Sequence, residues 1–249
     1  MDGYANLIAT RLRRLAETGS TGMLPVSGRG DGAVYFLGGR VVYAESSRTP
    51  AATPRGAVRA ALASSAGPAP VPPGGDHPAG ELVPARPGGG LAGMLASAEP
   101  TVDALTDLLA CDSRYGKFRQ AVGAPVRQVR ATPLAVLLAE VQRRSEVLRQ
   151  FSVVLTPDTV IAREPAPGWP SAQVSPAQWA LLVRSCDGTT PRALALQLGR
   201  SVFGTTIEVY RLVTLGLLAV PGLPPAPGGN APVLSFIRAA YGERSSDAR

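Results

Sequence analysis

The segment 18–45, TGSTGMLPVSGRGDGAVYFLGGRVVYAE, constrains the fold of this chain more than any other part. Three short apolar and β-branched runs, at 22–27, 33–37 and 40–44, are separated by Arg-Gly-Asp-Gly and by Gly-Gly. Asp-Gly and Gly-Gly junctions between such runs are the strongest short-range sequence signal for β-hairpins. The segment therefore predicts a three-stranded antiparallel meander.

Amphipathic helices flank this meander in the sequence. A helix is predicted over 4–17, with one apolar stripe and one basic face. Thr101 is predicted to cap a helix over 102–110. Asp103 lies near the start of this helix, where its negative charge interacts favourably with the positive end of the helix dipole. The apolar stripe of the helix over 4–17 consists of Leu7, Ile8, Leu12 and Leu15. Its basic face consists of Arg11, Arg13 and Arg14.

Further elements complete an α+β domain over residues 1–150. Strands are predicted at 115–121 and 125–129, a short helix at 54–63 and a long amphipathic helix at 132–150. The segment 64–93 is rich in Pro and Gly and is predicted to be a mobile insertion. The inner residues of the long helix are Leu134, Leu137, Leu138, Val141 and Leu148, and its outer residues are Arg143, Arg144 and Arg149.

The C-terminal part has a different pattern. After a connector at 151–174, with one candidate strand at 152–155, three short helices are expected at 177–184, 192–198 and 203–215, followed by a strand at 216–220. Ser175 and Thr190 are suitable N-caps for the first two helices. This order predicts a three-helix, winged-helix-like domain over 175–220. Residues 221–249 are predicted to be a Pro/Gly linker with a short helix at 233–241.

Two segments resemble known families. GMLPVSGRGDGAVYFLGGRVVYAES, at 22–46, resembles the PATAN domain, in which a TGxLxV…GxVYFxxGxVVYAE meander recurs, and the resemblance extends over about 1–150. The segment 174–220 resembles the winged-helix unit found behind PATAN domains in bacterial, notably actinobacterial, regulators. The residues that match the winged-helix pattern are Trp179, Gly188, Pro191, Leu194, Leu198 and Leu217. The Pro/Gly insertion at 64–93 departs from the PATAN pattern, which has a tighter helical segment there.

The resemblance implies a non-enzymatic signalling adaptor or a transcription-linked regulator, and it brings no catalytic residues to this chain. The partners it implies are other proteins, such as small GTPases or two-component proteins, with DNA as the alternative. A homodimer is compatible with either role.

The charge distribution weakens a nucleic-acid interpretation. The net charge of +7 is attractive for DNA. However, residues 1–150 contain 17 basic and 12 acidic residues, whereas 151–249 contain only 8 and 6. The part that most resembles a DNA-binding fold is therefore the less basic part.

No residue pattern indicates catalysis, a metal or a cofactor. His77 is the only histidine and lies in the Pro/Gly segment, and the glycines near Gly30 lack the Lys-Ser/Thr of a phosphate loop. Cys111 and Cys186 are distant in sequence and are interpreted as reduced, small buried apolar residues. No window has about 18 uninterrupted apolar residues, which predicts a cytoplasmic protein without a membrane partner.

Two candidate surfaces remain. On the predicted third C-terminal helix, DNA contacts would come from Arg200, Ser201, Thr205, Thr206 and Arg211. A protein partner would contact the residues Tyr35, Tyr43, Arg11, Arg14, Arg143 and Arg144. For the arginines, ordinary solvated helix faces are the preferred interpretation, and contact with an acidic partner or nucleic acid is the alternative. The two tyrosines share one face of adjacent strands, and a buried cross-strand pair is the preferred interpretation over a docking face. The favoured hypothesis is a protein-binding regulator, with a sequence-specific DNA-binding regulator as the alternative.

Overall fold

The computed structural model describes residues 3–50, 95, 98–110, 113–124, 131–164, 173–186 and 188–223, and the side chains only from Leu7 onward. The chain divides into two units, Met1–Ser145 and Glu146–Arg249. The mixture of an antiparallel sheet with helices confirms the predicted α+β class. The predictions for 54–63, 64–93, 125–129 and 233–241, and those for His77 and Cys111, lie outside the described residues.

The predicted meander is present in the first unit. Strands β1 (Gly22–Gly28), β2 (Gly32–Leu37) and β3 (Arg40–Ser46) pair in sequence order, all antiparallel. Tyr35 lies opposite both Met23 and Tyr43 in this register. The register then shifts by one residue between Tyr35 and Phe36, which marks a β-bulge in the β2–β3 pair.

Two short strands replace the single strand predicted at 115–121. Both β4 (Ser113–Tyr115) and β5 (Arg119–Gln120) pair with β1 along the edge opposite β2. The interruption lies beside Pro25, whose carbonyl accepts a bond from the Gly116 N–H at 2.8 Å. Since proline has no N–H to donate to a strand on this edge, the hydrogen-bond ladder is interrupted there.

The β2–β3 turn is fixed by the end of the first helix. Gly38 and Gly39 have φ of 55° and 76°, as a two-residue hairpin turn requires. The Gly39 N–H donates to the Ser20 carbonyl at 2.9 Å, and a Cβ at Gly39 would collide with the carbonyl oxygen of Ala16. Only glycine therefore allows the turn to lie this close to the helix end.

Three helices cover the sheet with apolar side chains. They are α1 (Gly3–Glu17), α2 (Glu99–Ala110) and α3 (Leu134–Phe151). Leu7 was expected in the stripe of α1 but is 54% exposed. The shared core includes Ile8, Leu12 and Leu15 of α1, Val102, Leu105 and Leu108 of α2, and Leu134, Leu137 and Val141 of α3.

Two predicted helix starts were wrong. Helix α2 begins at Glu99, so Thr101 is a buried residue of its first turn and not the cap. Pro100 explains the earlier start, because proline is well tolerated in the first turn of a helix. Helix α3 begins at Leu134 because Thr132 is bridged to Val41 of β3 and cannot be helical.

The core of the second unit includes residues outside the three predicted helices. The last turn of α3 adds Phe151 to its core, and Leu155 and Ile161 are fully buried there. The predicted strand at 152–155 is wrong, because these residues form a turn closed by Val154 N–H and Leu155 N–H bonds to the Phe151 carbonyl. Residues 151–164, expected to be part of a connector, thus contribute directly to this core.

The helices of the second unit begin at well-formed N-caps. They are α4 (Pro176–Arg184), α5 (Pro191–Leu198) and α6 (Val202–Thr214), capped by Ser175, Thr190 and Ser201. These bounds agree with the predicted ones to within one residue. The remaining strands are β6 (Ala162–Arg163) and β7 (Leu218–Ala219), which pair antiparallel. None of the helices in the described ranges is long and apolar enough to cross a bilayer.

Candidate functional site

The tyrosine pair proposed as a docking face belongs to the protein interior. Tyr35 and Tyr43 are both buried, with ring centroids 5.9 Å apart, and they pack with Met23 and Ala33 on the sheet face opposite the main core. The preferred interpretation of a buried cross-strand pair is therefore correct. The two tyrosines are therefore not exposed for a partner, because Val122, Ala124 and Ala131 pack against this cluster.

A half-buried carboxyl lies at the edge of the tyrosine cluster. The Tyr35 hydroxyl donates to Oε1 of Glu45 at 3.2 Å. Burial raises the pKa of Glu45, although the bond from Tyr35 opposes this shift. Burial, together with the neighbouring Glu45 charge, also raises the pKa of Tyr35. The pair is therefore a neutral phenol beside a carboxyl that ionises at a higher pH than an ordinary glutamate.

The predicted basic outer face of α3 is not a basic surface. Arg144 is buried, and its guanidinium contacts Glu140, Asp103 and Glu99 at 2.9, 3.2 and 2.7 Å. Arg143 is exposed but binds the same Glu140 through two hydrogen bonds of 2.8 Å. Both arginines are thus paired with carboxylates. Glu140 lies three residues before Arg143 and four before Arg144, so it is on the same side of α3.

The arginines of α1 also differ from the expectation. Arg14 is exposed, as predicted. Arg11 is only partly exposed, and its Nε is buried without a hydrogen-bond partner among the described residues. Of the six residues expected to contact a partner, only Arg14 and Arg143 are therefore exposed, and Arg143 is paired.

Helix α2 has an acidic stripe that is not among the sequence predictions, in which Asp103 and Asp107 are buried and Glu99 is 40% exposed. Glu99, Asp103 and Asp107 are spaced four residues apart, so they share one face of the helix. Asp107 accepts a bond from the Ser46 hydroxyl at 2.6 Å and lies 3.7 Å from Arg48. The four-residue spacing of Glu99, Asp103 and Asp107 is the sequence signal that indicates this stripe. The stripe ties α2 to β3 and α3, which is a structural role.

Most of the residues expected to contact DNA are occupied within the second unit. Thr205 and Thr206 are buried, and the Thr206 hydroxyl donates to the Val202 carbonyl at 2.7 Å. Ser201 accepts the Gly204 N–H as the N-cap of α6. The reason is that α6 packs against α4, α5 and β7, so little of its surface faces solvent.

The two arginines of that set have protein partners as well. Arg211 binds Oε1 of Glu208 at 2.6 Å, and Glu208 also accepts a bond from the Gln178 side chain of α4 at 2.9 Å. Arg200 is exposed, with one contact of 3.4 Å from its Nη1 to the Ala177 carbonyl. Among the five candidates, Arg200 is therefore the exposed cation that forms no ion pair with the residues the structure describes.

The outer side of α4 is apolar and exposed. Trp179 is 61% exposed and Val183 is 56% exposed, whereas Leu181 of the same helix is buried. Trp179 and Val183 are four residues apart and lie on one side of the helix. The sequence contained a signal for this, because Trp-Ala-Leu-Leu-Val is an apolar run too long for one helix face. Large exposed apolar side chains that cluster are typical of binding surfaces.

Three arginines lie on α4 or contact its backbone. Arg163 donates from Nη2 to the Val183 carbonyl at 2.7 Å, and Arg200 reaches the Ala177 carbonyl. Arg184 follows Val183 directly and is exposed. None of the three forms an ion pair within the described part of the chain. We call Trp179, Val183, Arg163, Arg184 and Arg200 the α4 surface.

The described residues do not contain a set of three His, Cys, Asp or Glu side chains placed to hold a metal ion. Cys186 is a free cysteine, as expected, but it is exposed, so the prediction that it is buried was wrong. Comparison of the chain with protein-family models, with curated proteins and with solved structures found no match.

Proposed function

We propose that this chain is a non-enzymatic regulatory adaptor that acts in the cytoplasm through protein contacts, and that its second unit docks a partner on the α4 surface. The observation that supports this most directly is the exposure of Trp179 and Val183 on one side of a well-capped helix. An exposed tryptophan is unfavourable for a free monomer and is among the residues that contribute most at interfaces. The resemblance of 1–150 to PATAN domains is consistent with an adaptor.

DNA binding is the less supported alternative. Direct base contact requires exposed side chains at the start of a helix, and Thr205 and Thr206 are buried there. Phosphate contacts require several free cations, whereas Arg211 is paired with Glu208. In this proposal the second unit is a protein-binding scaffold. Its helix α6 packs against α4, α5 and β7 and so supports the α4 surface from within.

The test is recovery of a partner that depends on Trp179. The tagged full chain and its Trp179→Ala variant are expressed in the native cell, crosslinked and purified, and bound proteins are identified by mass spectrometry. We expect at least one protein to be lost with Trp179→Ala and retained with Val153→Ala, since Val153 is 90% exposed in the same unit but outside the α4 surface. Equal recovery with both variants contradicts the proposal, as does specific, salt-sensitive binding of duplex DNA that requires Arg200.

A further inference from the structure

The partner's chemistry follows from the composition of the α4 surface, an inference that depends on the proposed function. We propose that the α4 surface binds an acidic amphipathic helix of a partner protein, with apolar side chains against Trp179 and Val183 and carboxylates against Arg163, Arg184 and Arg200.

The apolar part of the surface matches one face of a helix. Trp179 and Val183 are one turn apart on α4, and Ala180 between them is small and partly exposed. A partner helix presenting apolar residues at i, i+3, i+4 and i+7 can cover both side chains along one line of contact. The indole of Trp179 supplies the largest area and is the anchor expected to dominate the affinity.

The charged part of the surface requires acidic groups. Arg163 and Arg200 contact the backbone carbonyls of Val183 and Ala177, so the two guanidinium groups lie near the C-terminal and the N-terminal end of α4. A guanidinium has five N–H donors, and one contact leaves most of them available. Carboxylates accept such donors in bidentate pairs, which makes Asp and Glu the matching side chains.

Other occupants fit less well. A second copy of this chain packed through the same surface would bring no carboxylate to the arginines, because a two-fold interface uses one patch twice and the α4 surface contains no acidic residue. The C-terminal segment 224–249 contains three arginines and two acidic residues, so it is not acidic. A DNA duplex would satisfy the arginines but would leave the apolar side uncovered, since its outer surface is phosphate and sugar.

The experiment uses the full chain and a designed probe. The probe is a fluorescein-labelled synthetic helix of about 20 residues, long enough to be helical alone, with leucine at i, i+3, i+4 and i+7 and glutamate on both flanks. A second probe has glutamine in place of every glutamate. Fluorescence anisotropy gives the dissociation constants at low and at physiological salt.

We expect the glutamate probe to bind at micromolar concentration and the glutamine probe to bind about 10-fold more weakly. Trp179→Ala should weaken binding of the glutamate probe about 10-fold or more, and the double change Arg184→Gln with Arg200→Gln should weaken it and reduce its salt dependence. Val153→Ala should leave the affinity unchanged, and circular dichroism confirms that each variant is folded.

Three results overturn the proposal. They are equal binding of both probes, equal affinity of the Trp179→Ala and Val153→Ala variants, and displacement of the probe by a short DNA duplex. These outcomes are separable from failure of the proposed function. If the cellular partner is lost with Trp179→Ala but the glutamate probe does not bind, docking on the α4 surface stands and the acidic helix is wrong. If no partner depends on Trp179, the docking function itself is wrong.

Discussion

Arg144 donates a hydrogen bond from Nη1 to Oδ1 of Asp103 at 3.2 Å, and both side chains are only about 5% exposed. The bond joins α3 to α2 inside the first unit. Burial alone would lower the pKa of Arg144, but the hydrogen bonds and charges of Glu99, Glu140 and Asp103 outweigh it and raise the pKa. The Arg144 guanidinium therefore contacts three carboxylates, and its removal takes an ion-pair partner away from the buried Asp103.

Replacement of Arg144 is expected to destabilise the first unit strongly. In Arg144→Met the side chain keeps much of its volume but Asp103 loses its buried cation. We expect a loss of about 3–5 kcal/mol in the free energy of unfolding, as for other broken buried pairs. Urea denaturation of the full chain, followed by circular dichroism, measures the loss.

Arg143→Gln is the matched control for this change. Arg143 is the neighbouring residue on α3 and also pairs with Glu140, but it is exposed. We expect a loss of no more than about 1 kcal/mol. Similar losses for the two variants would contradict the assignment of Arg144 as the central cation.

The turn between β2 and β3 provides a second prediction. Gly38 and Gly39 both have positive φ, but only at Gly39 would an added Cβ meet a neighbour, the carbonyl oxygen of Ala16. Gly38→Ala should therefore lose about 1 kcal/mol from backbone strain alone. Gly39→Ala should lose clearly more, about 3 kcal/mol, because the turn must also move away from α1. Thermal denaturation compares the two variants, and an equal shift in their midpoints would show that the contact with α1 is unimportant.

Helix α4 allows exposure and burial to be compared within one element. Leu181 is fully buried and Trp179 is largely exposed. Leu181→Ala should lower the free energy of unfolding by about 2–5 kcal/mol, as usual for a truncated core side chain. Trp179→Ala should change it by less than about 0.5 kcal/mol, because little area is removed from contact. A large loss with Trp179→Ala would mean that the indole supports the fold and is not held for a partner.

The Tyr35–Glu45 pair predicts a pH dependence of stability. Because burial raises the pKa of Glu45 in the folded chain, the folded state holds this proton more tightly than the unfolded state. The contribution of Glu45 to stability is complete below its ordinary pKa of 4.5 and is lost as the pH rises through the raised value. Glu45→Gln should therefore reduce the decline in stability above pH 4.5, as measured by urea denaturation across the pH range.

The pKa of Glu140 is shifted in the opposite direction from that of Glu45, so its contribution to stability has the opposite dependence on pH. Burial alone would raise its pKa, but hydrogen bonds from Arg143 and Arg144 outweigh this and lower the pKa. Its contribution is present above the ordinary value and lost as the pH falls through the lowered one. If Glu45→Gln left the pH profile unchanged, the carboxyl would be better solvated than its contact with Tyr35 indicates.

The sequence by itself determined the local architecture. Gly38-Gly39 specifies a hairpin because its positive φ angles are accessible mainly to glycine. In the Arg-Gly-Asp-Gly turn, the Asp31 side chain accepts a hydrogen bond from the Gly28 N–H at 3.1 Å, a local bond that favours a turn. Ser175 and Thr190 specify helix starts because a side-chain oxygen meets an N–H within three residues. These interactions act over a few residues, so the meander and the three C-terminal helices could be predicted.

Only the tertiary structure decided which sides of the helices are buried. Helical periodicity gives the angle of a side chain around its axis but does not say which neighbours surround the helix. Arg144 lies inside because the acidic stripe of α2 faces it, and Thr206 lies inside because α6 is enclosed by α4, α5 and β7. Trp179 lies outside because Leu181 already fills the inner side of α4. Burial depends on contacts between residues distant in sequence, and for this reason the candidate site moved from the sixth helix to the fourth.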